Sequence, residues 1–244
     1  MTLIAGFKRG RNVVIAQDAA FVNGATGRME GIGSKSISIH GVPAVIGFTG
    51  AVPSAQGVAY FADRANRLLR HDCTLSDLLH AIPDIAGDAI ACRLTIGAWD
   101  RKQREGRLFT YANRESLAVP GLRAGDLVEA EMLLGVSFEP AEVLGEGFDL
   151  ALTDAQLVEI FEGQRQRLAP PADQAGAPCH SVGVLLTCLN IGRRGISERS
   201  IWRWDDRMGE PIKPTRGEAF DIRTHGHLLQ RHNPAVRAPE LVGA

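Results

Sequence analysis

Thr2-Leu3-Ile4-Ala5-Gly6-Phe7, the turn Lys8-Arg9-Gly10-Arg11-Asn12, and Val13-Val14-Ile15-Ala16-Gln17-Asp18 open the chain and set how the rest is read. Two apolar runs around a Gly/Asn turn predict a β-hairpin. Residues 24–33 follow as a Gly-rich loop. Ser34-Lys35-Ser36-Ile37-Ser38-Ile39 then alternates polar and apolar residues, as a half-buried strand does. After the turn Gly41-Val42-Pro43, Ala44-Val45-Ile46-Gly47-Phe48 reads as a buried strand that stops at Thr49-Gly50. Strands that follow one another in hairpins point to antiparallel sheets, not βαβ units.

Outward from this stretch, Val58, Phe61, Ala62, Ala65, Leu68 and Leu69 recur at helical spacing and predict a helix over 53–71. Thr74, with Asp77 three residues on, reads as the N-cap of a second helix carrying Leu75, Leu78, Leu79, Ile82, Ile85 and Ala86, with a kink expected at Pro83. Arg93 to Trp99 and Arg107 to Tyr111 flank a charged turn and predict another hairpin. Residues 126–138 are ambiguous, with Met132-Leu133-Leu134-Gly135 readable as a strand. Thr153-Asp154-Ala155-Gln156 is a capping box that opens a helix bearing Leu157, Val158, Ile160, Phe161 and Leu168, ended by Pro170-Pro171. Val182 to Leu189 reads as a central strand and Ser197 to Trp204 as an edge strand. Two stacked sheets with helices outside would cover every apolar face, an α+β class. The expected organisation is one domain over 1–208 and an irregular C-terminal extension over 209–244, which holds Pro211, Pro214, Pro234 and Pro239.

Composition narrows the function. The chain has 244 residues, 45% hydrophobic and 23% charged, which excludes a disordered polymer. A net charge of -1 gives no bulk attraction for nucleic acid or an anionic membrane. No run approaches the ~20 apolar residues of a membrane helix. Lys8, Arg9 and Arg11 follow the short apolar start instead of preceding it, so a secretory signal is not expected and a cytoplasmic location is. Cys73, Cys92, Cys179 and Cys188 form no CxxC pair and read as free thiols. His225, His227 and His232 read as histidines of a polar tail, Trp202-Arg203-Trp204 as core and interface, and Cys179-His180 as neighbours pointing apart on a strand. Neither a cofactor nor a metal is expected.

Thr2 behind the initiator Met, Asp18 closing the second strand, Lys35 opening the third, and Gly47-Phe48-Thr49-Gly50 leading into a helix together resemble the proteasome β subunits and the HslV-type peptidases. These belong to the N-terminal nucleophile (Ntn) hydrolase superfamily, and the chain looks like a bacterial proteasome-like homologue. Sixteen residues separate Thr2 from Asp18, the family spacing; Lys35 lies one residue beyond it, which implies a one-residue insertion in the Gly-rich loop. Ile96-Gly97-Ala98-Trp99-Asp100 and the return Gly106 to Tyr111 also resemble a proteasome hairpin. The resemblance covers 2–112, weakens to about 190 and is absent from the tail. It implies a four-layer αββα sandwich in which Thr2, Asp18 and Lys35 carry catalysis. Gly135-Val136-Ser137 stands where the family has Gly-Ser-Gly, and Asp173-Gln174-Ala175-Gly176 loosely fits its late Asp motif, so Ser137 and Asp173 are supporting candidates.

The residue types suit that chemistry. A threonine hydroxyl needs a base, and an N-terminal threonine supplies its own α-amine, with a pKa of ~7.7–8.0. A charged Lys35 beside that amine would disfavour its protonation, and Asp18 would hold Lys35 charged. The oxyanion needs backbone donors, for which Gly50, with Gly47 behind it, is the candidate. The expected function is a threonine-type peptidase for peptides or unfolded proteins, enclosed in a homo-oligomer, with an ATP-driven unfoldase as a candidate partner. Two alternatives stand beside it: a non-catalytic ring or scaffold subunit that keeps Met1, and another Ntn amidohydrolase acting on a small amide.

Overall fold

Gly10, at φ 61°, turns the chain tightly enough for β1 (Ile4–Arg9) to pair antiparallel with β2 (Asn12–Asp18) from Ile4↔Gln17 to Arg9↔Asn12. The computed structural model describes residues 3–39, 41–50, 55–119, 122–136, 138–168 and 178–225. Chain order continues through β3 (Ala20–Val22), β4 (Met29–Ile32), β5 (Ser36–Ile39), β6 (Ala44–Gly50), α1 (Ala55–Leu68), α2 (Leu75–Ala86), β7 (Cys92–Asp100) and β8 (Glu105–Ala112). It ends with β9 (Leu127–Ala130), β10 (Met132–Leu134), α3 (Ala141–Leu144), α4 (Asp154–Arg165), β11 (Leu185–Gly192), β12 (Gly195–Arg203) and β13 (Glu218–Ala219). One sheet has the order β10-β1-β2-β11-β12-β13, the other β5-β6-β7-β8-β9, and all their pairings are antiparallel.

The strand alternation sorts the core into layers. Leu3, Ala5, Phe7, Val14 and Ala16 pack under α4 with Leu157, Ile160 and Phe161. The opposite face of the same strands presents Ile4, Val13 and Ile15 to Val45, Trp99 and Leu108 of the second sheet. That sheet turns Ala44, Ile46, Phe48, Leu94, Ile96 and Phe109 to Phe61 of α1 and to Leu78, Ile82 and Ile85 of α2. The result is an α+β, four-layer αββα sandwich. The two sheets meet closely over glycine: a Cβ at Gly106 would stand 2.7 Å from Val13 N, and one at Gly97 would stand 2.8 Å from Val13 Cγ1. Thr74 and Thr153 each complete a capping box, with Asp77 and Gln156, and so start α2 and α4.

Several elements differ from expectation. Helix α1 ends at Leu68, short of 71. The Gly-rich loop is partly ordered as β4, which pairs antiparallel with β3 just before the loop. Residues 126–138 supply one strand to each sheet, β9 on β8 and β10 on β1, with Glu131 as the single residue between them. Helix α4 stops at Arg165, and Leu168 is exposed. Strand β11 starts at Leu185, not Val182, because Val184 takes φ 69° and breaks the extended backbone. In the tail, Ile212 is buried, Arg28 bridges Pro211, and β13 adds to the edge of β12. Glu162 of α4 receives the indole N–H groups of Trp202 and Trp204 and the amide of Gly217 on Oε1. The tail beyond residue 225 lies outside the described residues.

Candidate active site

The registers bring the starts of β1 and β11 to the ends of β2 and β10, and the start of β7 to the end of β6; the approach of Gly47 to Ile4 puts these at one end of the sandwich. Asp18 closes β2 in the first sheet, and Lys35 precedes β5 in the second. Lys35 Nζ donates to Asp18 Oδ1 and Oδ2, both at 2.7 Å, so an ion pair clips the sheets together there. The two side chains are 1% and 0% exposed. Asp18 Oδ1 also accepts the Leu3 amide at 3.2 Å, and Oδ2 accepts the Ala20 and Gly183 amides at 3.2 Å each. Four donors thus hold one carboxylate in place and satisfy it, which a buried charge needs.

Lys35 is fixed at its backbone as well. Its amide donates to Gln17 Oε1, Gln17 Nε2 donates to Ser34 Oγ, and its carbonyl receives the Phe48 amide. Its ammonium lies 5.6 Å from the Phe21 ring centroid. Burial pushes the Lys35 pKa below the ordinary lysine value, and Asp18 opposes that shift without cancelling it. The result is a lysine that gives up a proton more readily than one in water.

The nitrogen that Asp18 receives from Leu3 is the atom that joins the chain to Thr2. Thr2 itself lies outside the described residues, as do Ser137 and Asp173. Gly50 ends β6 at φ 125°, and a Cβ there would stand 2.6 Å from Ala91 O, so only glycine fits. Gly47 has a packing reason for its identity: a Cβ would meet Ile4 Cδ1 at 2.8 Å across the sheet interface.

Sequence reasoning missed the support behind Asp18. Gly183, which donates to the carboxylate, is gripped on both sides. Arg165 Nη1 donates to Val182 O at 2.6 Å, and Asp206 Oδ2 accepts the Val184 amide at 3.0 Å. Arg165, itself fully buried, pairs with Asp206 at 2.9 and 2.7 Å. A signal existed: Arg165 continues the four-residue spacing of Leu157 and Phe161, so a charge falls on the buried stripe of α4. Asp206 and Gly183 carry no such mark.

Other chemistry is quiet. Burial pushes the Cys92 and Cys188 thiols up to about 12, which leaves them un-ionised and unreactive. His180 Nδ1 is buried without a partner among the described residues. Among those residues, no group of three or more His, Cys, Asp or Glu side chains could hold a metal ion.

No family model matches the sequence, and no curated protein matches it significantly. Among solved structures, the chain is similar to a mutant of Anbu from Hyphomicrobium sp. strain MC1. The likeness has a TM-score of 0.57 and covers 85% of this chain and 90% of that one at 14% identity. At that identity it speaks for the fold alone: the mixed α+β sandwich of antiparallel sheets and helices described above resembles the fold of this proteasome-like neighbour.

Proposed function

We propose that the protein is an N-terminal nucleophile amide hydrolase, a threonine-type peptidase whose nucleophile is Thr2 once Met1 has been removed. One observation carries this reading: a single buried carboxylate, Asp18, holds both the Lys35 ammonium and the first described amide of the chain, that of Leu3. The proteasome-like fold supports the same class.

In this mechanism the free α-amine of Thr2 accepts the proton of its own hydroxyl as Oγ attacks the substrate carbonyl. The charge of Lys35 keeps the amine neutral and favours the developing alkoxide. The amide of Gly50 receives the oxyanion, with Ser137 and Asp173 as candidates to orient the amine. Collapse breaks the C–N bond, and the amine passes its proton to the leaving nitrogen. Water then attacks the acyl ester and returns the hydroxyl to Thr2. Asp18 keeps its place throughout, because its role is to hold Lys35.

Substrates would be peptides or unfolded proteins, with the site enclosed by copies of the chain. An open cleft of this chemistry would cut proteins indiscriminately. Among the described residues no helix is long and apolar enough to cross a membrane; a cytoplasmic location belongs to this proposal.

Intact mass and labelling by a peptide epoxyketone test the reading together. The expected result is a mature chain without Met1 that gains one inhibitor mass. Thr2→Ala should keep its circular dichroism and gain none, and Lys35→Ala should label at least about 100-fold more slowly. A chain that hydrolyses peptides with Met1 quantitatively in place overturns the mechanism.

A further inference from the structure

Thr49 and Arg93 stand directly opposite each other in the β6–β7 ladder. Both belong to the odd-numbered set that faces the first sheet. Gly47 of that set abuts Ile4, and Thr95 Cγ2 would stand 2.9 Å from a Cβ at Gly6. They are the last inward-facing pair before the sheet ends, at the end that holds Asp18 and Lys35. Arg93 reaches across the gap: its Nη2 would stand 3.2 Å from a Cβ at Gly135, and that Cβ would stand 3.0 Å from Ile4 O. The guanidinium is therefore beside the start of β1, one residue from the Leu3 amide that Asp18 holds.

Neither polar group is matched among the described residues. Arg93 is only partly exposed, yet it has no hydrogen bond or ion pair among the described residues. Arg9, Arg107 and Arg165, other arginines shielded by the fold, each have a carboxylate partner: Asp154, Glu129 and Asp206. The Thr49 hydroxyl is buried and lacks a partner among the described residues, although Thr49 is 6% exposed. Shielding a guanidinium without an anion is costly, and so is burying an unpaired hydroxyl. A carboxylate answers both, because it accepts two N–H bonds from the planar fork and one from the hydroxyl. Charge agrees locally: Lys35 and Asp18 pair with each other, and Arg93 brings a further positive charge without a paired carboxylate among the described residues.

We propose that Thr49 and Arg93 form a carboxylate-binding subsite beside the start of β1, which selects peptides with an acidic side chain or a free C-terminal carboxylate. The proposal rests on the amide-hydrolase reading for the name of its ligand, not for its donors. Binding to Thr2→Ala protein, measured by calorimetry, tests it without turnover. The probes are blocked tetrapeptide amides with Glu or Gln at each position in turn, and one tetrapeptide with a free or amidated C-terminus. In one of these pairs the acid should bind about tenfold tighter than its neutral isostere. A Glu/Gln pair assigns the source to a side chain, and the last pair assigns it to the C-terminus. The preference should fall below about twofold in Arg93→Gln, weaken in Thr49→Val and survive in part in Arg93→Lys.

Equal binding of acid and isostere in every pair overturns the proposal, as does a preference that persists in Arg93→Gln, or no binding at all. Epoxyketone labelling reports separately on the chemistry. If labelling fails while the carboxylate preference holds, the subsite stands and the peptidase reading falls.

Discussion

Removing one member of the Asp18–Lys35 pair strands the other where water scarcely reaches. Lys35→Met should therefore cost about 3–5 kcal/mol of stability, because a buried charge is left unpaired. The double variant Asp18→Asn/Lys35→Met should cost clearly less, because no charge remains to be desolvated. Denaturant unfolding of the two proteins checks this, and a double variant no more stable than Lys35→Met contradicts it. The pH dependence has a definite sign. With the folded pKa of Lys35 lowered, the unfolded chain binds more protons above that value, so this group's share of stability rises with pH up to the usual ~10.4. Lys35→Met should remove that rise. Both residues stood out in the sequence through the resemblance, by their places at the end of the second strand and the opening of the third; alone, each also reads as an ordinary strand-end residue. Thr49 and Arg93 were not singled out: each is ordinary in its strand, and only the register sets them opposite each other.

At the scale of elements, capping boxes and helical spacing located α2 and α4 in the sequence, because these signals are local. What escaped depended on partners. Nothing in 126–138 says that β9 and β10 belong to different sheets; the exchange at Glu131 is decided by which edge each strand meets. The early break before β11 comes from Asp18 and Asp206, which draw the amides of Gly183 and Val184 out of the ladder. The sheet interface offers a sharper test. Gly106→Ala would drive a methyl into the Val13 backbone and should destabilise the fold by about 1–3 kcal/mol. In Gly31→Ala the new methyl meets Phe21 side-chain atoms at an ordinary 3.4 Å, so this change should stay within about 0.5 kcal/mol of wild type. Thermal melts of the two proteins compare them directly; equal losses would mean that the sheets are not as close as described.

For the whole molecule, the extension drawn at 209 begins inside a packed region. Thr215 O accepts from Arg165 Nε, Gly217 donates to Glu162, and Ile212 is buried. The prolines and scattered polar residues of this stretch hid that role, because it packs without any regular period. A chain ending at residue 208 should lose about 3 kcal/mol or more, from an exposed isoleucine site and orphaned hydrogen bonds on α4. Light scattering on the full chain and on this truncated one also tests assembly. The full chain should form particles of many subunits, and a monomer at micromolar concentration would contradict enclosure by copies of itself.

The grip of Gly183 on Asp18 also has a meaning in time. The two residues are 165 positions apart, so a ribosome adding about 5–20 residues per second delivers the second roughly 8–33 s after the first. Until then the carboxylate lacks one of its amide donors, and β2 lacks β11 beside it. A growing chain therefore carries Asp18 and Lys35 long before it has the frame that holds them. In the proposed mechanism, synthesis itself acts as a safety interval, because the frame around Asp18 is incomplete until Gly183 has been made.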